Sequence, residues 1–379
     1  MWQSERQLPF FPFVAKVLPP VRLARDEQDS AIASSNSKGT PALFIIYLIV
    51  TAFLGLLVYL WRRQWTANLA LLLCTVSLCF TSLEAYYRYF YCQSDGLGML
   101  MENFARRYYH YDSYGLRASN LPPSATRDNV VVLGDSHVFG AGLKKTSERF
   151  SALLAAHYHK LHVINLAQPG WDTRTEAKQF ERYLGGTRAR IPLVILVYFF
   201  NDIEEEATPE DRARDPSPYP AAHEMALDRG LQWASKYSRA IQMFYYRLAY
   251  PRLVRDRLGQ IQLFYQDPLL RNRHLATVEQ FRDRLRDRYG ANLLLVLLPY
   301  LHTEQLLHKD EFYRSFEMTL KQRDFQYLSM QPTFARYKVK QLQVNRFDPH
   351  TNPFANRLIA DAVIDYLNHH SEMLRGRTK

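Results

Sequence analysis

The sequence predicts an α/β fold, an open and mostly parallel sheet with helices on both faces, preceded by a two-helix transmembrane hairpin. Three observations predict it. From Asn129 onward, apolar runs of strand length alternate with segments of helix length, the order that right-handed crossovers between parallel strands require. The runs themselves are continuously apolar, as in Val130 to Leu133 and Leu193 to Val197, which suits strands covered on both faces. Residues 42–61 and 67–83 carry no charge, and at about 1.5 Å per helical residue the first run matches a hydrocarbon core of about 30 Å.

Composition bounds the rest. With 379 residues, 47% of them hydrophobic and 22% charged, the chain has material for a membrane segment and one sizeable domain, and it is not a disordered chain. The net charge of +11 does not point to nucleic acid, because Arg and Asp alternate from Arg271 to Arg288 as on a solvated helix face. No nucleic-acid partner is expected. Cys74 and Cys79 fall inside the second apolar run and Cys92 just after it, so no disulfide framework is expected in the soluble part.

In chain order, residues 1–40 read as a mobile tail whose aromatic and Pro-rich start, Leu8 to Val21, suits a membrane surface and lacks the form of a signal peptide. Residues 41–85 form the hairpin, with Arg62 and Arg63 in its tight loop. Residues 86–128 are an aromatic connector, expected to be irregular and to pack on the domain as an edge strand. The α/β domain occupies 129–379. Its strands are expected at 129–133, 162–167, 191–198 and 291–298, with a weaker one at 325–329. Helices are expected near 147–158, 173–183, 277–289 and 353–368. An insertion at 202–275, helical over 233–250, interrupts the series.

The ends of these strands and the last loop carry four marks: Gly134-Asp135-Ser136, then Gly170, then Asn201-Asp202, then, in the loop, Asp348-Pro349-His350. In that order they resemble the four signature blocks of the SGNH/GDSL hydrolase family, over about the last two thirds of the chain. The resemblance implies a flavodoxin-like SGNH sandwich. It implies Ser136 as nucleophile, His350 as general base and Asp348 as its orienting carboxylate. It also implies an oxyanion hole made by the backbone N–H groups of Ser136 and Gly170 and by the side-chain amide of Asn201. No cofactor belongs to this chemistry.

Elementary chemistry agrees with each role. A serine at the carboxyl end of a buried strand stands where open α/β sheets place their ligands, and a helix amino end beside it adds partial positive charge. Gly170 has no Cβ to keep its N–H from an oxyanion, and Asn201 offers a neutral donor where Asp would repel. An Asp two residues before a His can hold the tautomer that leaves Nε2 free to take a serine proton. Each mark also has a plainer reading as a helix cap or a turn. Four such accidents in the right order are harder to accept than one site.

Some residues depart from the family pattern. Phe199 stands two residues before Asn201, where the family usually has Gly, and the spacing of Asp348 and His350 is one residue shorter than usual. The shorter spacing occurs in relatives of polysaccharide O-acetyltransferases, which often continue with Asn and then Gly. Here Asn352 is present, but Ala355-Asn356 stands at the expected Gly. His137 has no assigned role and reads as a pocket wall. No metal set is visible: there is no Cys pair and no His-Glu-x-x-His, and the histidines are scattered.

The expected function is a membrane-anchored serine esterase that hydrolyses O-acyl esters, O-acetyl above all, through an acyl-serine intermediate. An O-acyltransferase that moves the acyl group onto a cell-surface glycan uses the same residues. A non-catalytic glycan- or lipid-binding module is the third reading, and it calls for a broken triad. The expected partners are the lipid bilayer and an acylated glycan or lipid substrate; nothing sets the oligomeric state. Arg62 and Arg63 place the short loop in the cytoplasm, which gives a multi-pass protein with an extracytoplasmic domain.

Overall fold

The computed structural model describes residues 40–60, 64–95, 101–208, 230–231, 233–235 and 237–375. The expected tail, the Arg62-Arg63 loop and residues 209–229 of the insertion lie outside the described residues. The described residues fall into two compact units: one draws on Met1–Gln93, Leu97–Phe104 and Ser217–Leu253, the other on Ser94–Gly96, Ala105–Pro216 and Val254–Lys379.

The first unit contains helices α1 (Thr40–Leu60) and α2 (Gln64–Ala85), the latter prolonged by a π-helical turn, Tyr86–Phe90. The two pack through their few polar residues, with Thr51 Oγ1 at 2.6 Å from Ser77 Oγ and 3.3 Å from Thr81 Oγ1. Tyr47 and Phe80 meet edge to face at 5.3 Å. Ile45, Ile49, Phe53, Leu69, Leu72 and Val76 point outward and are exposed, the inverse of a water-soluble helix pair. By length and composition, Ala67–Phe90 is long and apolar enough to cross a bilayer, at 24 residues and mean hydropathy 1.7; the apolar stretch described in α1, Phe44–Leu57, is shorter.

Near the end of α2, Glu84 is fully buried and paired with Arg88 at 2.5 Å. Its carboxylate also accepts from Ser238 Oγ at 2.8 Å and from the N–H groups of Arg239 and Ala240 at 3.1 and 2.9 Å. Those amides are orphan donors of a helix start. Glu84 thus caps from a distance the helix that begins at Arg239.

The connector contains helix α3 (Glu102–Tyr108) and, among the described residues, no strand before Asp128, so the expected edge strand does not form. Its backbone is held by side chains instead. Asp112 accepts from the N–H groups of Tyr114, Leu116 and Ser119 at 2.9, 3.0 and 2.9 Å, a turn rather than a ladder.

The second unit is built on five parallel strands: β1 (Asp128–Gly134), β2 (Leu161–Ala167), β3 (Leu193–Phe199), β4 (Asn292–Leu298) and β5 (Tyr327–Ser329), in the spatial order β2-β1-β3-β4-β5. Both faces of β1 are covered. Val131 and Leu133 enter the cluster that holds Phe180 and Phe281, while Val130 and Val132, of the opposite alternation, are no more than 2% exposed. Each such side chain contributes roughly 1.5–3 kcal/mol by leaving water. The order reverses at β1, because the chain steps from β1 to β2 on one side and to β3 on the other. That reversal opens a crevice at the carboxyl ends of the strands.

After β1 come the single turn α4 (Ser136–Phe139) and α5 (Phe150–His157), and after β2 comes α6 (Thr173–Leu184). A 3-10 helix, Phe200–Glu206, follows β3 directly. The insertion differs from expectation in extent. Helix α7 (Arg239–Gln266) runs to Gln266, and α8 (Pro268–Arg284) starts at Pro268 rather than at Thr277, with Asp267 accepting from the N–H of Leu269 at 2.8 Å as its N-cap. Helix α9 (Asp310–Gln322) precedes the short β5, and α10 (Pro353–His369) closes the fold. Asp348-Pro349-His350 is not a loop. It lies on β7 (Asp348–Thr351), paired antiparallel with β6 (Gln343–Asn345).

Candidate active site

The sharp turn out of β1 is set by Gly134, where a Cβ would stand 2.4 Å from Val138 Cγ2 and 3.4 Å from Val197 Cβ. Asp135 then caps the turn, accepting from the His137 N–H at 2.9 Å. With its nearest bonds made locally, the backbone releases Ser136 at the mouth of the crevice, half-buried. The expected helix behind the serine is only four residues long, so its dipole adds little. What the turn supplies is an N–H free of partners among the described residues.

Ser136 Oγ lies 2.8 Å from His350 Nε2, and His350 Nδ1 lies 2.5 Å from Asp348 Oδ1. The three residues expected to cooperate are therefore in hydrogen-bonded sequence, across 214 positions of chain between the serine and the histidine. Asp348 is fully buried. Burial alone works against its charge, but the His350 ring and backbone N–H and the Ser94 hydroxyl hold its carboxyl below the ordinary aspartate value. Burial likewise works against the imidazolium of His350, and the neighbouring Asp348 carboxylate outweighs it, raising His350 above the ordinary histidine value.

Gly170 sits in the turn after β2. Trp171 N–H donates to Gln168 O at 3.3 Å, Pro169 takes the second position and Gly170 the third with φ of 81°, the arrangement of a type II turn. A side chain there would be strained. The flipped peptide leaves the Gly170 N–H without a partner among the described residues. Asn201 is the second residue of the 3-10 helix after β3, and its amide makes no hydrogen bond among the described residues; Oδ1 is buried and unpartnered. The register sets Gly134 beside Ala167 and Leu133 beside Leu196, so the chain segments after β2 and β3 flank Ser136 on either side. All three expected oxyanion donors thus remain uncommitted among the described residues.

No family model matches the chain, and no curated protein matches it by sequence. The chain is similar to solved structures of GDSL lipolytic proteins and esterases. One is a member of the lipolytic protein G-D-S-L family from Veillonella parvula, at 11% identity and TM-score 0.35, over 63% of this chain and 98% of that one. Another is Axe2, an acetylxylan esterase from Geobacillus stearothermophilus, at 13% identity and TM-score 0.36, over 64% and 95%. A third is a two-domain esterase active on acetylated mannans, at 11% identity and TM-score 0.37, over 73% and 54%. At such identities and scores the chemistry has to be read from the side chains of this chain.

Several of those side chains carry no mark of a site residue in the sequence. Ser94, from the connector, donates its hydroxyl to Asp348 Oδ2, and Asn345 Nδ2 donates to Ser94 O at 2.9 Å to hold it there. Arg117, only 1% exposed, donates to the carbonyls of Gly140 and Leu143 at 2.7 and 2.8 Å and lies over the Tyr109 ring at 4.4 Å. It pins the loop that follows the serine. Gly142, at φ 78°, passes so close that a Cβ would meet Asp348 Oδ2 at 2.8 Å.

Two more imidazoles surround the triad. The His137 ring lies tilted against Phe199 at 4.6 Å and against His350 at 4.9 Å, and Phe199 in turn meets Tyr300 at 5.1 Å. The residue that replaces the family's usual Gly therefore builds the wall on which His137 leans. Burial, with His350 as a further cause, pushes His137 well below the ordinary histidine value; burial does the same to His302, down to about 3. Both are thereby weaker bases than His350, so neither competes with it for the serine proton. Asn356, at the family's Gly position, serves the fold instead. Its Oδ1 accepts from Phe150 N–H at 3.0 Å and its Nδ2 donates to Thr351 O at 3.0 Å, joining α10 to α5.

Beneath the Gly170 and Asn201 segments lies a group of carboxyls. Thr173 Oγ1 donates to Asp202 Oδ2 at 2.9 Å, and Glu176 is fully buried with neither oxygen partnered. Burial and the neighbouring acids push Glu176 and Asp202 well above their ordinary values. The expectation that no metal set exists also meets a difference here, because Glu205, Glu206 and His274 come together in space. They are separated by a whole helix in sequence, so no ligand motif announces them.

Proposed function

We propose that this protein is a membrane-anchored serine esterase of the SGNH type, which hydrolyses O-acyl esters through an acyl-Ser136 intermediate. The observation that carries the proposal is the unbroken relay from Ser136 Oγ to His350 Nε2 at 2.8 Å and from His350 Nδ1 to Asp348 Oδ1 at 2.5 Å. Ser136 Oγ attacks the ester carbonyl as its proton passes to His350 Nε2, and Asp348 stabilises the imidazolium that forms. The carbonyl oxygen, now anionic, accepts from the N–H groups of Ser136 and Gly170 and from the Asn201 amide. His350 returns the proton to the leaving alkoxide, then takes one from the water that releases the acyl group.

The membrane reading is supported by the apolar helix Ala67–Phe90 and by the outward apolar face of α1, which together suit a two-span anchor. The double arginine of the hairpin loop favours an extracytoplasmic domain. An O-acetyl ester of a surface glycan is the substrate that fits this placement. Transfer to a sugar hydroxyl in place of water uses the same relay. Incubation with an acetylated glycan and an acceptor distinguishes them: free acetate marks the esterase, an acetylated acceptor the transferase.

A fluorophosphonate ester probe tests the core of the proposal. It is expected to label the full-length protein at Ser136, with labelling abolished in Ser136→Ala while the protein keeps its thermal transition. Labelling that survives in Ser136→Ala refutes the assignment.

A further inference from the structure

Glu205 and Glu206 end the 3-10 helix that begins Phe200-Asn201, and His274 sits in the second turn of α8. One ligand atom from each lies within 4.8 Å of the others. All three side chains are withdrawn from solvent, at 7%, 9% and 0% exposure. Ligand atoms held on one ion by bonds of about 2.0–2.2 Å stand at most about 4.4 Å apart, so small side-chain shifts bring these three into range.

The imidazole supplies the independent observation. His274 Nε2 is 2.9 Å from the Tyr198 hydroxyl, which is itself hydrogen-bonded to the Tyr265 hydroxyl. In the arrangement where Tyr198 donates to Tyr265, His274 donates Nε2–H to Tyr198 and its Nδ1 carries the lone pair that a metal takes. That Nδ1 is buried without a hydrogen-bond partner and faces Glu205 Oε1 at 4.0 Å, too far for a hydrogen bond. His274 Nδ1 and Glu205 Oε1 therefore face each other across 4.0 Å, a gap that a cation can bridge. A neutral imidazole fixed through its other nitrogen is the form that metals bind.

The side chains around the site are acidic in kind. Glu176, fully buried and with both oxygens unpartnered, lies among Asp172, Asp202 and Glu205. Against these, the cation paired with Glu206 is Arg174, at 2.6 Å, and Thr277 Oγ1 donates to the same carboxylate at 2.8 Å.

We propose that Glu205, Glu206 and His274 form a structural site for a divalent first-row transition cation, Zn2+ by its donor set of two carboxylates and one imidazole. Ca2+ and Mg2+ favour all-oxygen shells and fit less well. The site is separate from the triad and takes no part in moving the serine proton. It ties the helix that presents Asn201 to α8. The ion is thus a positioning element for one oxyanion donor, and binding of the ion itself does not depend on the esterase reading.

The test uses the full-length protein in detergent, freed of tags, dialysed against a chelator and then titrated with Zn2+ and with Co2+. Expected are one tightly held Zn2+ per chain by elemental analysis, a raised thermal transition on Zn2+ addition, and visible Co2+ absorption bands of a nitrogen- and oxygen-ligated ion. Glu205→Gln keeps the shape of the side chain and is expected to lose stoichiometric binding. Tyr198→Phe removes only the bond that orients His274 and is expected to weaken Zn2+ binding about 10- to 100-fold. A wild-type protein that holds no stoichiometric metal and shows no thermal response overturns the proposal. So does a Glu205→Gln protein that binds Zn2+ like the wild type.

Discussion

Replacing Ser94 by alanine isolates what the connector does for the triad. Asp348 accepts three hydrogen bonds, from the His350 ring, from the His350 backbone N–H at 3.1 Å and from the Ser94 hydroxyl. The alanine removes the third and leaves Oδ2 buried with no donor of its own. A hydrogen bond to a buried charged group is worth about 1.5–3 kcal/mol. Because this bond is present both before and during the reaction, only part of that appears in the barrier, and kcat is expected to fall about tenfold, at about 1.4 kcal/mol per factor of ten. KM is expected to change little, since Ser94 touches the acid and not the substrate. The pH profile separates orientation from a general loss of packing. A carboxylate with one donor fewer is more basic and stabilises the His350 imidazolium further, so the acidic limb of kcat/KM moves to higher pH. Ser94→Thr keeps the hydroxyl and is expected to recover most of the rate. The assay is hydrolysis of a p-nitrophenyl ester from mildly acidic to mildly alkaline pH, with urea unfolding of each variant alongside. Wild-type kcat and an unmoved acidic limb in Ser94→Ala refute the reasoning.

Asn201→Ala withdraws a donor that acts on the transition state, so kcat is expected to fall about 10²–10³-fold at nearly constant KM; an unchanged kcat reduces Asn201 to a turn residue. His350 must be neutral to take the serine proton, and its value is raised above 6.5, so activity is expected to be lost as pH falls through a point above 6.5. Asp348→Asn removes the charge that raises it, so the limb moves to lower pH and kcat drops about 10⁴-fold from the wrong tautomer; a limb that stays in place argues against the pairing. In the first unit, Glu84→Ala strips the acceptor from Ser238, Arg239 and Ala240 and removes the carboxylate that pairs with Arg88, at a cost on the order of 3 kcal/mol. Thermal unfolding and faster protease cutting within Ser217–Leu253 measure it.

The strands and the triad are legible in the sequence because both are written locally. Short Val, Ile and Leu runs of strand length, bounded by turn residues, read as buried strands, and each expected site residue up to Asn201 follows one of them by a few positions. Helix starts are partly legible: Asn352-Pro353 reads as a cap, whereas Asp267-Pro268, the same signal, stands inside an insertion that hides the periodicity of α8. What escapes the sequence depends on contacts between distant segments. Ser94 and Asp348 are 254 positions apart, and Tyr198 and His274 are 76 apart, so no local pattern marks either pair. The aromatic connector reads as packing material. Its two informative residues, Ser94 and Arg117, are polar and buried, which composition cannot reveal.

The short spacing between Asp348 and His350 becomes intelligible once the segment is seen to be a strand. In extended backbone, residues two apart project to the same face, so the carboxylate stands beside the imidazole without any turn between them. Asp348 Oδ1 then accepts from both the backbone N–H and the ring Nδ1 of its own neighbour, at 3.1 and 2.5 Å, which fixes the side chain and the tautomer together. Such a pair requires something to keep the backbone extended and something to engage the remaining oxygen. Pairing with β6, which sets Gln343 against Thr351 and Asn345 against Asp348, meets the first requirement. Ser94, itself held through Asn345, meets the second. The connector and the final hairpin therefore do for two residues of spacing what a longer loop does by reach, and the acid of the relay is oriented from the segment that precedes the domain as much as from within it.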